Sequence, residues 1–376
     1  MHDIDHQKLL QGRYEPERLP GDYKVPDFAY NILNPAGFLY RPIIDEHRIK
    51  QKMDKPKWPD GKPFAVCLTH DVDYVSAHSI LPAFRRKQIQ WKTETSPINK
   101  IFAFQGAGLS ILRAVKYGTR MDPLFCFERW LEAENVVGAH STFFFWPGAD
   151  VVSRQHRSDC GYTLSDKVVF DDQRCNVAEM AQEIHHRGWE IGLHPSWYSF
   201  DDVDELRRQK DTIEKALDHE TVSVRQHFLH YDIRATPRVQ CEAGFLYDST
   251  LGFNDNIGFR FGTSYPWQIY DLKSGETLPI FEVPLIIQDG AMLSKSKGMR
   301  LDEETAFQYV KLITQAVENV GGVLTLLWHP HEINNNDWWL LYLRTLEYLR
   351  KKNAYFGSVK EVMALYAASN HMFQTP

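Results

Sequence analysis

The chain contains no CxxC pair; its five cysteines, Cys67, Cys126, Cys160, Cys175 and Cys241, are scattered and odd in number. That excludes a disulfide framework and a structural zinc knot, and leaves reduced thiols. There is no long run of Lys or Arg and the formal net charge is −6, so the totals lack the footprint of a nucleic-acid or anionic-membrane binder. No span of about 18 apolar residues occurs, and the opening MHDIDHQKLLQGRYEPERLP has no basic region backed by an apolar stretch. The expectation is a protein without a transmembrane segment, not exported by that route and therefore cytoplasmic. Internal repeats and low-complexity tracts are also missing.

What is present suits a globular chain with a sizeable core: 43% hydrophobic, 24% charged and 13% aromatic residues. Its 376 residues admit one large barrel or two ordinary domains. Residues 1–62 are rich in Pro, Asp, Lys and Tyr without sustained periodicity, and are expected to form an N-terminal extension packed on a main body spanning 63–376. From Phe64 onward short β-rich runs alternate with longer amphipathic stretches, the pattern of βα units around a parallel sheet. Seven candidate strands cover 64–73, 139–148, 189–197, 223–229, 244–250, 280–287 and 322–330.

Between the strands, Asp122-Pro123 reads as the N-cap and first residue of a helix reaching Asn135, and further helices are expected over 201–217 and 302–320. NDWWLLYLRTLEYLRKKN and GSVKEVMALYAAS supply two more near the end. The 74–120 connection is long for a βα loop; its ILPAFRRKQIQWK segment looks helical, so it is expected to be a structured insertion roofing one side of the site.

Polar residues collect where the apolar runs stop, and in a parallel α/β barrel the C-terminal strand ends form the active face. The first run ends Thr69-His70-Asp71-Val72-Asp73, where carboxylates two apart project to one face. The third ends Gly192-Leu193-His194-Pro195, and a histidine leaving a buried strand needs a partner that a metal could supply. The fourth carries Arg225-Gln226-His227, with Arg225 and His227 on one face and the guanidinium in reach of a first-strand carboxylate. The fifth ends Asp248-Ser249-Thr250, and the seventh ends Trp328-His329-Pro330-His331, where His329 could act as a general acid. His140 lies in the N-terminal half of the second run, before its apolar part, at the bottom of such a barrel, and is expected to be structural. An Asp-x-Asp turn or a lone buried histidine decides nothing; five of seven strands ending this way is hard to obtain from unrelated turns.

The order Asp-x-Asp, Gly-Leu-His-Pro, Arg-x-x-Phe and Leu-x-x-His, spread over roughly 64–366, resembles carbohydrate esterase family 4, the polysaccharide deacetylases. The resemblance implies a distorted (β/α)7 barrel that uses a divalent metal, commonly zinc, to remove acetyl groups from N-acetylated sugars or to hydrolyse related C–N bonds. It implies that Asp71 is the catalytic base, Asp73 a metal-ligating carboxylate and His194 the first metal-binding histidine. Arg225 would hold the base, His329 would protonate the leaving amine, and Asp248 would orient or tune that histidine. Trp197, Tyr198 and Trp328 flank these motifs and suit stacking on sugar rings.

One position departs from the family's pattern: Tyr198 stands four residues after His194, where a second histidine is usual, and a phenol is a poor zinc ligand at neutral pH. The third ligand is then expected from His227, which occupies a place more often held by Pro, or failing that from His230 or His331. The expected partner is a carbohydrate such as a nucleotide-linked or lipid-linked acetamido sugar, with no nucleic acid. Two other readings stay open: an allantoinase-like hydrolase of a small cyclic ureide, and a catalytically silent barrel that binds glycan or scaffolds an assembly.

Overall fold

The structure, a computed structural model, describes residues 4–16, 28–77, 79–93, 122–148 and 155–369. Strands in chain order are β1 Ala65–Val72, β2 Thr142–Phe145, β3 Lys167–Phe170, β4 Gln173–Asn176, β5 Glu190–Leu193, β6 Ser223–Val224, β7 Tyr247–Asp248, β8 Trp267–Asp271, β9 Glu276–Glu282, β10 Leu285–Gln288, β11 Val323–Leu327 and β12 Tyr355–Gly357. Helices are α1 His6–Leu10, α2 Ile43–Lys50, α3 Ile80–Thr93, α4 Phe127–Val137, α5 Val177–His186, α6 Val203–Leu217, α7 Thr236–Glu242, α8 Asp289–Leu293, α9 Glu303–Val320, α10 Asn336–Lys351 and α11 Val359–Ser369.

Alternation along β1 sets the architecture. Ala65 and Cys67 join an interior cluster with Phe144, Tyr247, Phe281 and Val323, while Val66 and Leu68 join the larger cluster between sheet and helices. Continuing the inward register by two and four residues places Thr69 and Asp71 inside the sheet, with Asp71 at its C-terminal end. The parallel order β10-β11-β1-β2-β5-β6-β7-β9 follows the seven expected runs. The expected run 280–287 is split by Val283-Pro284: its first half, β9, pairs with β7, and its second half, β10, pairs with β11. Proline has no N–H to give a ladder, so the strand breaks there while the chain carries the ring across from β7 to β11. The result is a distorted (β/α)7 barrel.

Three sheet elements were not expected from the sequence: the antiparallel hairpin β3–β4, strand β8 antiparallel to β9, and β12 beside β1. The 1–62 region also contains α1 and α2, too short for a periodic signal to accumulate. Leu9, Leu33, Leu39 and Ile44 pack with Phe253, and the Trp58 indole donates to the Gly321 carbonyl at 2.9 Å. The helix expected to start at Asp122 starts instead at Phe127; the Asp122 carboxylate accepts from the Ala77 and Leu124 amides and closes a turn. The helices expected over 201–217 and 302–320 start one residue after an Asp N-cap, Asp202 and Asp302, each accepting from an amide three residues on. The ILPAFRRKQIQWK helix is α3; the remainder of the expected insertion, 94–120, lies outside the described residues. All five cysteines are free, and among the described residues no helix is long and apolar enough to cross a membrane.

Candidate metal and acid–base site

The C-terminal ends of β1, β5, β6 and β11 converge on a cleft of about 240 Å³ that Asp71, Asp73, His194, His227 and His329 line together. His194 leaves β5 fully buried, with Nδ1 donating to the Arg225 carbonyl at 2.7 Å. That contact fixes the ring and turns Nε2 toward Asp73 Oδ1, 3.4 Å away.

His227 is not on a strand, contrary to expectation. β6 stops at Val224 and the chain enters a short 3-10 turn in which Phe228 and Leu229 hold left-handed φ values of 55° and 52°. Two non-glycine residues in that region cost about 1 kcal/mol each. The turn is held by the Asn254 amide donating to the Phe228 carbonyl at 2.8 Å and by the Gln226 N–H donating to Thr250 Oγ1 at 3.0 Å. It aims His227 Nε2 at the Ser158 carbonyl, 2.8 Å away, so Nδ1 faces inward, 3.6 Å from Asp73 Oδ1.

Ser158 and Arg225 offer carbonyls, which only accept, so the outer nitrogens of both rings carry their protons and the inner nitrogens face each other at 2.8 Å. One proton must sit between them. Burial disfavours charge on both rings, but Asp71 and Asp73 raise the His194 pKa, whereas burial and the neighbouring His194 push His227 down to about 4. His194 is the donor. Burial also works against the Asp73 carboxylate, yet three surrounding imidazoles hold its pKa well below the usual range.

This trio fits a divalent cation. Asp73, His194 and His227 each offer one ligand atom, all within 4.8 Å of one another. A tetrahedron with metal bonds of about 2.0–2.1 Å has edges of roughly 3.3–3.5 Å, against observed separations of 3.4, 3.6 and 2.8 Å. Only the two histidines need to part, by about 0.5 Å on that estimate, as the shared proton is replaced. Both outer nitrogens are already braced by carbonyls, which orients the rings as ligands. Tyr198 sits in a separate 3-10 turn with its ring edge-on to His156, and does not line the cleft. His230 donates from Nδ1 to the Trp197 carbonyl at 2.8 Å, and His331 lines the cleft outside the trio.

Two further groups flank the trio. Asp71 is buried, and its Oδ1 has no hydrogen-bond partner; the Arg225 Nε stands 3.8 Å from it, within Coulomb range but beyond hydrogen-bond length. Arg225 is itself fully buried, with Nη2 donating to Ser249 at 2.8 Å and its guanidinium 4.9 Å over the Phe144 ring. On the other side, His329 Nε2 lies 3.8 Å from Asp73 Oδ2. Burial opposes its charge, but Asp289, 2.7 Å from Nδ1, and the site aspartates push its pKa up to about 10.

Several expectations are corrected here. Asp289, not Asp248, orients His329, also accepting from the His329 backbone N–H at 2.7 Å. It follows β10 directly, and the signal was a strand-end aspartate hidden in a run taken to stop at Ile287. Asp248 accepts from Thr250 inside the barrel, in a buried group with Glu282 and Arg225. Trp328 is 1% exposed and packs on Tyr342, and Trp197 is 4% exposed and sandwiched between His156 and His230. Neither is available to a sugar. The aromatic rings that do line the cleft are Tyr74, Phe228 and Trp338. His70, directly before Asp71 in sequence, faces outward and bridges the Trp328 carbonyl and Glu134 at 2.7 Å each. His140 stacks obliquely on Trp189, with centroids 4.5 Å apart.

Fold and site together define a (β/α) barrel with an Asp/His/His trio at its mouth that could hold a metal ion. The chain has the polysaccharide deacetylase fold. A provisionally named polysaccharide deacetylase from Mycobacterium smegmatis aligns over 86% of this chain and 96% of its own, at 19% identity and a TM-score of 0.55. Another provisionally named polysaccharide deacetylase, from Pseudomonas aeruginosa PAO1, aligns over 85% and 96% at 16% identity and a TM-score of 0.53. Puue allantoinase aligns over 84% and 94% at 14% identity and a TM-score of 0.51. No protein-family model and no curated protein sequence matches the chain.

Proposed function

We propose that the protein is a metal-dependent hydrolase of non-peptide C–N bonds that deacetylates an N-acetylated sugar or polysaccharide intermediate. The observation that carries this reading is the pair of carbonyl braces on His194 and His227, which leave two imidazole nitrogens and the Asp73 carboxylate converging between Asp71 and His329. Asp73, His194 and His227 would hold the cation, and the N,N,O donor set suits zinc. A bound divalent cation supplies Lewis acidity toward an amide carbonyl and the attacking water.

Asp71 takes a proton from water as the new C–O bond forms, with Arg225 holding the carboxylate by charge. His329, kept protonated through neutral pH by Asp289, donates to the amide nitrogen as the C–N bond breaks. Acetate and a free amine leave; Asp71 then gives up its proton and His329 regains one. Tyr74, Phe228 and Trp338 at the cleft support a sugar ring as the group on the nitrogen side.

The test is metal content by elemental analysis after zinc loading, followed by acetate release from N-acetylated sugars by wild type, Asp71→Asn and His329→Ala, with allantoin run in parallel. About one zinc per chain, and losses of roughly 100-fold or more in both variants, are expected. A loaded protein that hydrolyses allantoin and no acetamide would transfer the site to ureide hydrolysis; one that retains no metal would end the hydrolase reading.

A further inference from the structure

Among the described residues that line the cleft, Lys297 is the one Lys or Arg. It stands on the loop 294–298 that follows α8, and the loop's position is fixed by the backbone. Gly298 holds a left-handed φ of 80°, and a Cβ there would collide with the Ala291 carbonyl, so glycine lets the chain double back on α8. The Met299 and Leu301 amides then donate to the Ala291 and Met292 carbonyls at 2.8 Å each. Lys297 is thereby tied to the same segment whose first residue, Asp289, orients His329.

Lys297 Nζ lies 5.3 Å over the Phe228 ring and forms no ion pair or hydrogen bond among the described residues. Asp73 and Asp255 act on its charge from beyond pairing distance. Asp73 is the carboxylate a bound cation would claim, which leaves the ammonium with less opposing charge nearby. The neighbouring polar groups of the wall are already engaged: the Asn254 amide donates to the Phe228 carbonyl, the Gln288 amide to the Phe253 carbonyl, and Ser294 pairs with Ser296 at 3.1 Å. Glu332 stands 3.6 Å from His331. An ammonium offers three donors and no acceptor, so the chemistry that completes it is an anion.

On the deacetylase reading of the cleft, we propose that Lys297 selects substrates bearing an anionic group, so that the acetamido sugar taken here carries a phosphate or a carboxylate. A sugar ring resting on Phe228 brings its substituents within reach of Nζ, and an anionic one gains a charge-assisted hydrogen bond that a hydroxyl does not. The contact is made away from the reacting amide, so it acts on KM more than on kcat.

The test compares N-acetylglucosamine, N-acetylglucosamine 1-phosphate and N-acetylmuramic acid on zinc-treated protein with Lys297, Lys297→Met or Lys297→Arg. Binding is read by calorimetry in the Asp71→Asn background, where turnover is suppressed, and KM from acetate release with Asp71 intact. With Lys297 present, at least one anionic sugar should bind roughly tenfold more tightly than the neutral one, a preference that shrinks as salt rises and reappears in KM. Lys297→Met should abolish the preference and Lys297→Arg should keep it; the sugar favoured names the anionic group. No binding, equal binding of all three sugars, or a preference that survives in Lys297→Met overturns the inference. A Lys297-dependent preference without acetate release from any sugar would strike the deacetylase reading alone and leave Lys297 as the anion-recognition residue.

Discussion

His194 Nε2 and His227 Nδ1 face each other at 2.8 Å, and each ring's other nitrogen is tied to a backbone carbonyl. The two residues come from neighbouring parallel strand positions, one from the end of β5 and one from the left-handed turn after β6. Because both rings are oriented from behind, neither needs to reorganise greatly to release the shared proton and accept a cation. Tyr198, four residues after His194, is therefore not needed as a ligand, because His227 completes the trio from the turn after a different strand.

Replacing His227 should therefore remove metal affinity instead of shifting it elsewhere. His227→Ala is expected to weaken zinc binding by roughly 100-fold or more, read by competition with a chelator. Adding Tyr198→His to that variant should restore nothing, because Tyr198 does not line the cleft. Recovery of affinity in the double variant would show that the trio is misassigned.

Asp289 acts through His329. Its loss in Asp289→Asn should lower the His329 pKa from about 10, so the protonated acid is depleted at lower pH and the alkaline limb of kcat moves down. A loss of roughly 10- to 100-fold in kcat at neutral pH is expected. A pH–rate profile with an unmoved alkaline limb would remove Asp289 from this role.

The two tryptophans near the site should behave differently. Trp328→Ala empties a core position that is 1% exposed and should cost about 3–5 kcal/mol of stability. Trp338→Ala alters the cleft wall and should raise KM with little change in Tm. Denaturant unfolding and steady-state kinetics on the pair separate packing from substrate contact, and the reverse pattern would contradict the structure.

Asp45 gives a pH dependence remote from the cleft. It is fully buried and accepts from Thr263 and from the amide and hydroxyl of Ser264; burial, outweighing those bonds, raises its pKa from 3.8 to about 6. A folded-state pKa above the unfolded one means that the contribution to stability is complete below pH 4 and is lost as pH rises through about 6. The ionised group then costs on the order of 3 kcal/mol. Wild type should consequently lose ground to Asp45→Asn between pH 4 and 7 in urea unfolding; parallel stability curves would refute this.

The positions of the barrel strands were readable from the sequence because strand formation here is local: an apolar run with a polar end needs only the period-two rule and a turn. Asp71, Asp73, His194 and His329 were readable for the same reason, since each sits at or just past the point where such a run stops. The short strands β3, β4, β8 and β12 carry too few residues for a pattern, and they exist because a neighbouring strand offers them hydrogen bonds.

What no local rule could decide is how the chain turns after each strand. The left-handed Phe228-Leu229 turn brings His227 to His194, the break at Val283-Pro284 brings Asp289 under His329, and side-chain packing takes Trp197 and Trp328 out of reach of any substrate. Sequence by itself determined which polar groups leave the barrel on its active face, since alternation along a strand is a property of the backbone. Their pairing was decided by tertiary structure alone, because the direction of a side chain beyond a strand end depends on partners that are distant in the chain.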